Sequence, residues 1–268
     1  VCSLCPGACG ISVRKVDGQP VKIEGLSGYP VNDGGACLHG IAGLQYLYDP
    51  SRVKTPLKKN ANGAFEPVSW EEAIETVGSQ LNDIRSSKGA EKVACIADKD
   101  EGSVAGLLKR LISSYGSQNF YTMPGLESHL QATAEAIHGP GKTIGFDLDN
   151  SDFVLSFGAG VIEGWGSPVA CFKANAGKKE RNGKFCQIEP RLSNTAASAD
   201  YWIPLNPGTE ADLALGLCAV IVSNKLNPNV STAGFKGNWA KLVAILEKEY
   251  SVGKTSELTG VESDQITK

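Results

Sequence analysis

No hydrophobic run in this sequence is long enough to cross a membrane, which takes about 18 consecutive apolar residues. The longest apolar stretch, residues 213–222, is short and predicts a buried helix. A basic excess is also lacking, because 26 Lys and Arg residues stand against 29 Asp and Glu residues without forming a basic run. We therefore expect no direct membrane span and no nucleic-acid partner, and any membrane contact is expected through other subunits.

Targeting signals and repeats are lacking as well. The sequence has no internal repeat, no low-complexity tract, no initiator Met and no signal peptide. Val1 stands directly before Cys2, the first candidate metal ligand, and the last residues look like the start of a helix. We therefore expect a piece of a longer polypeptide.

Composition divides the chain into three predicted domains, residues 1–57, 58–150 and 151–268. The first is rich in Gly and Cys. It contains two alternating stretches, 11–16 and 21–24, which predict a β-hairpin around a turn at Asp17 and Gly18. Residues 49–67 contain three prolines and a polar stretch, which predict a linker.

Strands alternate with helices in the rest of the chain. The predicted strands are 92–97, 152–157 and 184–189, and the predicted helices include 70–84, 107–115 and 211–224. Ser69 with Glu72, and Thr209 with Asp212, predict helix caps. This order predicts an α/β fold with open, mostly parallel sheets, which bind ligands at the carboxyl ends of their strands.

Four of the eight cysteines are spaced for a metal centre. Cys2, Cys5 and Cys9 lie close together, and Cys37 follows after a further 27 residues. A [4Fe–4S] cluster needs one thiolate per iron, which three close cysteines and a remote fourth can supply. A zinc site also accepts four thiolates, although zinc knuckles usually pair cysteines as two C-x2-C units. The other cysteines are expected to be small buried side chains: Cys95, Cys171, Cys186 and Cys218.

A second candidate site lies at the ends of predicted strands. Glu189 ends one strand, where a carboxylate can accept a pair of ribose hydroxyls. Pro207, Gly208 and Thr209 open a predicted helix, whose free N–H groups favour an anionic or polar ligand. An ordinary helix cap is the alternative for these three residues, and spacing alone leaves both open.

Several of these motifs resemble the complex iron–sulfur molybdoenzymes, also called the dimethyl sulfoxide reductase or molybdopterin oxidoreductase family. The resemblance covers essentially the whole chain. It rests on residues 1–11, Gly34-Gly35-Ala36-Cys37, residues 47–52, Ser69-Trp70-Glu71-Glu72-Ala73, Ile188-Glu189-Pro190-Arg191 and Pro207-Gly208-Thr209-Glu210. The last two match the family region that holds a guanine dinucleotide arm of the pterin cofactor.

The resemblance implies a small Fe–S cluster domain followed by open, mostly parallel sheet domains of the molybdopterin oxidoreductase type. It implies a [4Fe–4S] cluster on Cys2, Cys5, Cys9 and Cys37, and molybdopterin guanine dinucleotide as a further candidate cofactor. The residues implied at that cofactor are Gly158, Glu189, Arg191, Pro207, Gly208 and Thr209.

The sequence departs from the family in three places. His39 replaces the Lys or Arg that many members carry between cluster and pterin, and it is a candidate electron relay or else a surface histidine. No cysteine lies between Cys95 and Cys171, where members commonly bind Mo or W. The remaining candidate ligands there are Glu127, Ser128 and His129, which also fit the polar start of a helix. Gly160 replaces the family's Asn.

These departures argue against protein-ligated Mo or W and resemble the molybdopterin-related subunits of membrane quinone reductases, especially the menaquinone reductase type. We therefore expect an iron–sulfur electron-transfer subunit of a membrane-associated respiratory complex, peripheral on the periplasmic face. The expected partners are ferredoxin-like iron–sulfur, cytochrome c or membrane quinone-binding subunits. The alternatives are an active Mo or W bis-pterin oxidoreductase and a zinc-stabilised structural protein.

Overall fold

A computed structural model of the chain describes residues 1–98, 102–123, 125–226 and 237–268. These residues form two compact units. The larger unit combines Val1–Leu47 with Asp147–Lys268, and the smaller unit is Tyr48–Phe146. The strands and helices below confirm the α/β class, while the three-domain division at residues 57 and 150 stays a prediction.

The larger unit begins with the predicted hairpin. Strand β1 (Ile11–Val16) pairs antiparallel with β2 (Gln19–Gly25). Asp17 and Gly18 have φ of 49° and 80°, and two successive positive φ values are typical of the tight hairpin turn that matches strand twist. The hairpin prediction is therefore confirmed. Two short helices follow, α1 (Leu38–Ile41) and α2 (Gly43–Tyr48).

The smaller unit opens with a second hairpin, β3 (Leu57–Lys59) with β4 (Phe65–Pro67). The prediction of a plain linker at 49–67 is therefore wrong in part, since a turn at the polar stretch lets these short segments pair. Ser69 caps the next helix, as predicted, because its hydroxyl accepts from the N–H of Glu72 at 3.1 Å. The remaining elements are α3 (Trp70–Ser86), a 3-10 turn (Ala90–Lys92), β5 (Cys95–Ala97), α4 (Ser103–Tyr115), β6 (Phe120–Thr122) and α5 (Leu126–His138). Strands β5 and β6 are parallel.

A parallel sheet in the order β7–β8–β9 organises the rest of the larger unit. Its strands are β7 (Phe153–Phe157), β8 (Lys184–Ile188) and β9 (Tyr201–Ile203). The helices are α6 (Pro168–Glu180), α7 (Asn194–Ser198), α8 (Glu210–Ser223), α9 (Trp239–Glu249), α10 (Val252–Thr259) and α11 (Ser263–Thr267). Central strand β8 and helix α8 supply the core, where Ile188, Leu213 and Val261 pack together. None of the described helices combines the length and apolar character needed to cross a membrane.

Helix α6 also carries a buried cation. Lys178 is only 2% exposed, and its ammonium lies 4.5 Å from the centre of the Phe185 ring. Burial lowers the pKa of Lys178, against a smaller raising effect of Asp200 and together with a lowering effect of Lys179. Burial of Lys178 therefore disfavours its charged form.

The prediction that the other four cysteines are buried is confirmed only in part. Cys171 and Cys186 are buried, as expected, and Cys95 is half-buried. The prediction is wrong for Cys218, which is exposed. Helix α8 is apolar around most of its circumference, so the sequence pattern does not reveal which of its sides faces the core.

Candidate functional site

The four predicted ligand cysteines converge in the larger unit, and all four thiols are free. The N–H of Cys2 donates to the carbonyl of Cys9 at 2.8 Å, which closes the first three cysteines into one loop. A Cβ placed at Gly40 would lie 3.9 Å from the Sγ atoms of both Cys2 and Cys37. The remote fourth cysteine therefore stands beside the first.

Cys9 is the most enclosed of these thiols, at 8% exposed. Burial raises its pKa, a contact with Ser167 lowers it, and the neighbouring Cys5, Cys37 and Cys2 raise it further. The other three predicted ligand cysteines therefore all lie near enough to Cys9 to affect its pKa. In a bound cluster the four thiols would be held as thiolates, because coordination to a metal deprotonates a thiol.

The buried side chain of Asn32 joins the two cysteine segments. It is 1% exposed, and its Oδ1 accepts from the N–H of Gly10 at 2.8 Å. Its Nδ2 donates to the carbonyls of Gly10 at 2.9 Å and Gly35 at 2.6 Å. Gly10 follows Cys9 and Gly35 precedes Cys37 by two residues, so a single amide sets the spacing between the near cysteines and the remote one.

Helix α6 also contacts the segment that leads to the remote cysteine. Its Val169 packs so closely on Gly35 that a Cβ there would lie 2.5 Å from Val169 Cγ1. The Lys173 ammonium donates to the carbonyls of Asn32 at 3.4 Å and Asp33 at 3.0 Å. Ser167, just before the helix, approaches the Cys9 thiol. A segment more than a hundred residues away in sequence thus positions the cysteine loop.

These residues fit a [4Fe–4S] cluster. The four free thiols, three from one loop and one from a remote turn, lie near one another, and a cluster with four iron corners needs one thiolate for each. Among the described residues, no three His, Cys, Asp or Glu side chains are spaced to hold a single metal ion. A bound cluster would be held by the thiolates of Cys2, Cys5, Cys9 and Cys37.

His39 lies on α1, two residues after Cys37, and its side chain is exposed. The next residue, Gly40, is buried against the Cys2 and Cys37 sulfurs. His39 is therefore next to the cysteine site along the chain and open to a partner or a cofactor.

The parallel sheet brings two of the predicted cofactor residues together. The N–H of Gly158, after β7, donates to the carbonyl of Ile188 at 2.9 Å. The N–H of Glu189, after β8, donates to the carbonyl of Ile203 at 3.3 Å. Gly158 has φ of 66° and open space where a Cβ would stand, so a ligand can approach its backbone closely.

The Glu189 carboxylate is enclosed, with the residue 7% exposed. It accepts a hydrogen bond from the Ser193 hydroxyl, while its own carbonyl accepts from Trp202 Nε1 at 3.0 Å. Ser193 bonds one oxygen of this carboxylate, Oε1, so a ribose hydroxyl would bond the other oxygen or compete with Ser193. Arg191, two residues further on, is exposed and open to an anionic ligand.

The loop after β9 places Pro207, Gly208 and Thr209 ahead of α8. Gly208 has φ of 87°, and no atom lies within 4 Å of the place that a Cβ would occupy there. Thr209 does not cap α8 through its side chain, contrary to the predicted cap, because its hydroxyl donates to the carbonyl of Asn206 at 2.7 Å. The same Asn206 anchors the loop, since its N–H donates to the carbonyl of Thr259 at 2.8 Å.

An acidic residue that the sequence reasoning missed lies beside this sheet edge. Glu163 Oε2 accepts from the Thr195 hydroxyl at 3.0 Å and from the Thr195 N–H at 3.4 Å, at the start of α7. Although desolvation works to raise the pKa of Glu163, hydrogen bonds from Thr195, Asn194 and Ser193 lower it. The N–H and the hydroxyl of Thr195, at the start of α7, therefore already bond a carboxylate of the chain itself.

The candidate Mo or W ligands belong to the smaller unit. Ser128 uses its hydroxyl within α5, where it accepts from the N–H of Gly125 at 3.3 Å. His129 is exposed, and its carbonyl accepts from the Thr133 hydroxyl at 2.8 Å. The side chain of Glu127 lies outside the described residues. Within this unit, Ser128 acts as a helix-start residue.

Comparison with known proteins identifies both parts of the chain. Residues 1–49 match the molybdopterin oxidoreductase Fe4S4 domain, and residues 52–235 match the molybdopterin oxidoreductase family. The chain is 36% identical to the menaquinone reductase molybdopterin-binding-like subunit of Nitratidesulfovibrio vulgaris, over 100% of this chain and 38% of that protein. It is 27% identical to a probable oxidoreductase of Bacillus subtilis, over 99% of this chain and 40% of that protein.

The fold is also found in a solved structure. Acetylene hydratase from Pelobacter acetylenicus superposes with a TM-score of 0.81 at 23% identity, over 100% of this chain and 37% of that one. The chain thus spans well under half the length of these relatives.

Proposed function

The chain belongs to the molybdopterin oxidoreductase family, and we propose that it is an iron–sulfur electron-transfer subunit of a membrane-associated, quinone-linked respiratory oxidoreductase complex. The observation that carries the proposal is the convergence of four free thiols inside the Fe4S4 domain. Its similarity to a protein named as a menaquinone reductase subunit supports the quinone-linked assignment.

The residues of this chain have separate tasks in the proposed site. Cys2, Cys5, Cys9 and Cys37 hold a [4Fe–4S] cluster, which supplies a one-electron carrier when bound. Asn32 keeps the remote cysteine at the correct spacing from the other three. His39, exposed beside the site, is the proposed relay toward a second cofactor or a partner subunit.

We also propose that the sheet edge formed by Gly158, Glu189 and the Gly208 loop takes the guanosine arm of a pterin dinucleotide. Open backbone at Gly158 and Gly208 and the exposed Arg191 support this placement. Glu189 would take part through its second carboxylate oxygen, or through Oε1 if the ribose displaces Ser193.

Protein-ligated Mo or W is not part of the proposal. Two sequence features argue against such a metal site. No cysteine lies between Cys95 and Cys171, and His39 and Gly160 stand at positions where the family commonly has other residues. A thiolate is a strong, soft ligand, and carboxylate, hydroxyl and imidazole groups are weaker substitutes for it. A full equivalent of Mo or W bonded to Glu127, Ser128 or His129 would instead establish an active oxidoreductase.

The proposed partners are ferredoxin-like iron–sulfur, cytochrome c or membrane quinone-binding subunits, with this chain peripheral on the periplasmic face. The relative from Nitratidesulfovibrio vulgaris is itself named as a subunit of a menaquinone reductase, which supports an assembly of this kind.

A metal inventory of the intact complex, joined to cysteine variants, tests the proposal. Iron with acid-labile sulfide and without Mo or W is expected. Cys5→Ser and Cys37→Ser should each lose the cluster EPR signal, whereas Cys218→Ser, which changes an exposed thiol on α8, should retain it. Iron with stoichiometric Mo or W would favour the active oxidoreductase, and zinc alone would favour a structural protein.

A further inference from the structure

The hydroxyl of Ser167 is buried and makes no hydrogen bond to a nitrogen or oxygen atom; its contact is with the Cys9 thiol, a weak acceptor. Ser167 occupies the position before α6 where a serine side chain commonly caps a helix, yet it makes no cap hydrogen bond. By contrast, Ser69 and Ser193 both cap the helices that follow them. A buried hydroxyl with no better partner than a thiol is poorly satisfied, and a stronger acceptor at the same place would stabilise it.

The Ser167 hydroxyl faces the cysteine loop. A Cβ placed at Gly7 would lie 3.2 Å from Ser167 Oγ and 3.3 Å from Cys5 Sγ, so both atoms border the same small space. The Cys9 thiol is the group that the hydroxyl approaches. A thiol is a weak acceptor, whereas a thiolate carries the charge that makes a hydrogen bond strong.

The rest of α6 holds this hydroxyl in place. Val169 is wedged against Gly35, and Lys173 bonds the carbonyls of Asn32 and Asp33. The 13-residue helix also begins here, so the positive end of its dipole lies on the side of Ser167. Both the hydroxyl and the dipole favour added negative charge at the cysteine site.

We propose that the Ser167 hydroxyl donates a hydrogen bond to the Cys9 thiolate of the bound cluster and thereby raises the cluster's reduction potential. The inference rests on the proposed binding of a [4Fe–4S] cluster. Reduction adds one electron to the site, and a hydrogen bond to a ligand sulfur strengthens as the sulfur becomes more negative, so the reduced state gains more. Ser167 is therefore a tuning residue for electron transfer.

An EPR-monitored redox titration of the cluster-loaded, full-length protein, with dithionite as reductant, tests the proposal. Ser167→Ala should change the reduction equilibrium about threefold to tenfold against the reduced form, where tenfold corresponds to about 59 mV for one electron. Ser167→Thr keeps the hydroxyl and should retain the wild-type potential. Ser167→Val has the shape of Thr without the hydroxyl and should behave as Ser167→Ala does.

The Thr and Val variants separate the effect of the hydrogen bond from the effect of packing. If Ser167→Ala loses its iron, the comparison of these two variants still tests whether the hydroxyl raises the reduction potential. The control is Ser3→Ala, an exposed serine of the same cysteine loop, which should leave the potential unchanged. Equal potentials in the Thr and Val variants, with full iron content, would overturn the role of Ser167 while leaving the cluster assignment intact. A wild-type protein without iron and sulfide would overturn both.

Discussion

Replacing Asn32 removes the only described side chain that bonds both cysteine segments at once. In the folded protein it makes three hydrogen bonds, to the N–H and carbonyl of Gly10 and to the carbonyl of Gly35, at 2.6–2.9 Å. The carbonyl of Gly10 also accepts from the N–H of Leu26 at 2.9 Å, so it keeps a partner in Asn32→Ala. The buried N–H of Gly10 loses the Asn32 oxygen, and water has little access to replace it.

The expected loss follows from these bonds. Each buried bond contributes about 1 kcal/mol net, and a buried N–H left without a partner costs about 1–3 kcal/mol. Asn32→Ala should therefore destabilise the cysteine site by about 3 kcal/mol, which is about a hundredfold in the folding equilibrium. That is a large part of the stability of an ordinary domain.

Asn32→Asp makes the test sharper because the two side chains have the same shape. Asp keeps an acceptor for the N–H of Gly10 but turns a second oxygen toward the carbonyls of Gly10 and Gly35. At neutral pH it should therefore destabilise the site at least as much as Ala, although it leaves no cavity. Asn194→Ala, at an exposed position in the same unit, serves as the control and should have little effect.

The assay is iron and sulfide content after anaerobic purification, followed by urea unfolding monitored through the cluster absorbance. Both Asn32 variants should lose cluster at lower urea than the wild type and the control. A wild-type unfolding midpoint and full iron content in Asn32→Asp would refute the reasoning, because the lost donor and the added repulsion would then have no measurable cost.

Three further outcomes are expected. Gly25→Ala should abolish iron retention, because its Cβ would fall on backbone carbonyl atoms of Gly34 and Gly35, whereas Gly253→Ala has open space and should retain iron. Lys173→Met should cost about 0.5–1 kcal/mol in urea unfolding at low salt and less at high salt, because the ammonium is half-exposed; equal losses at both salt levels would contradict this. For Lys178, a folded-state pKa below 10.5 means that the unfolded state binds more protons between the two pKa values, so stability rises with pH there. Lys178→Met should remove that rise in the pH range below 10.5, and an unchanged slope there would contradict the burial argument.

Local patterns were sufficient where neighbouring residues decide the structure. Asp17 and Gly18 specify a turn through their own backbone preferences, and the β1–β2 hairpin follows from them. Ser69 caps α3 because its partner, Glu72, is three residues away. Apolar runs likewise indicated β7 and β8, whose predicted ends differ from the observed ones by a single residue.

Predictions failed where a side chain had a choice of partners. Thr209 stands at the start of α8, but the nearby carbonyl of Asn206 takes its hydroxyl. Cys218 lies in an apolar stretch and yet faces outward. For Thr209 the competing acceptor is local, three residues back, and spacing alone does not decide which of two nearby partners the hydroxyl takes. For Cys218 the face that points outward is set by packing.

The sequence by itself determined the chemistry of this protein: the number and spacing of the cysteines, the order of strands and helices, and the family to which they belong. Cysteine spacing and the periodicity of apolar residues are visible in the sequence itself, so they can be recognised without a structure. Tertiary structure alone decided what surrounds the cysteines, since Lys173 and Asn32 meet across 141 residues of sequence and Ser167 reaches Cys9 by the same packing. The predicted ligand cysteines are recognised from their spacing in the sequence, whereas the hydrogen bonds around them depend on how distant segments pack.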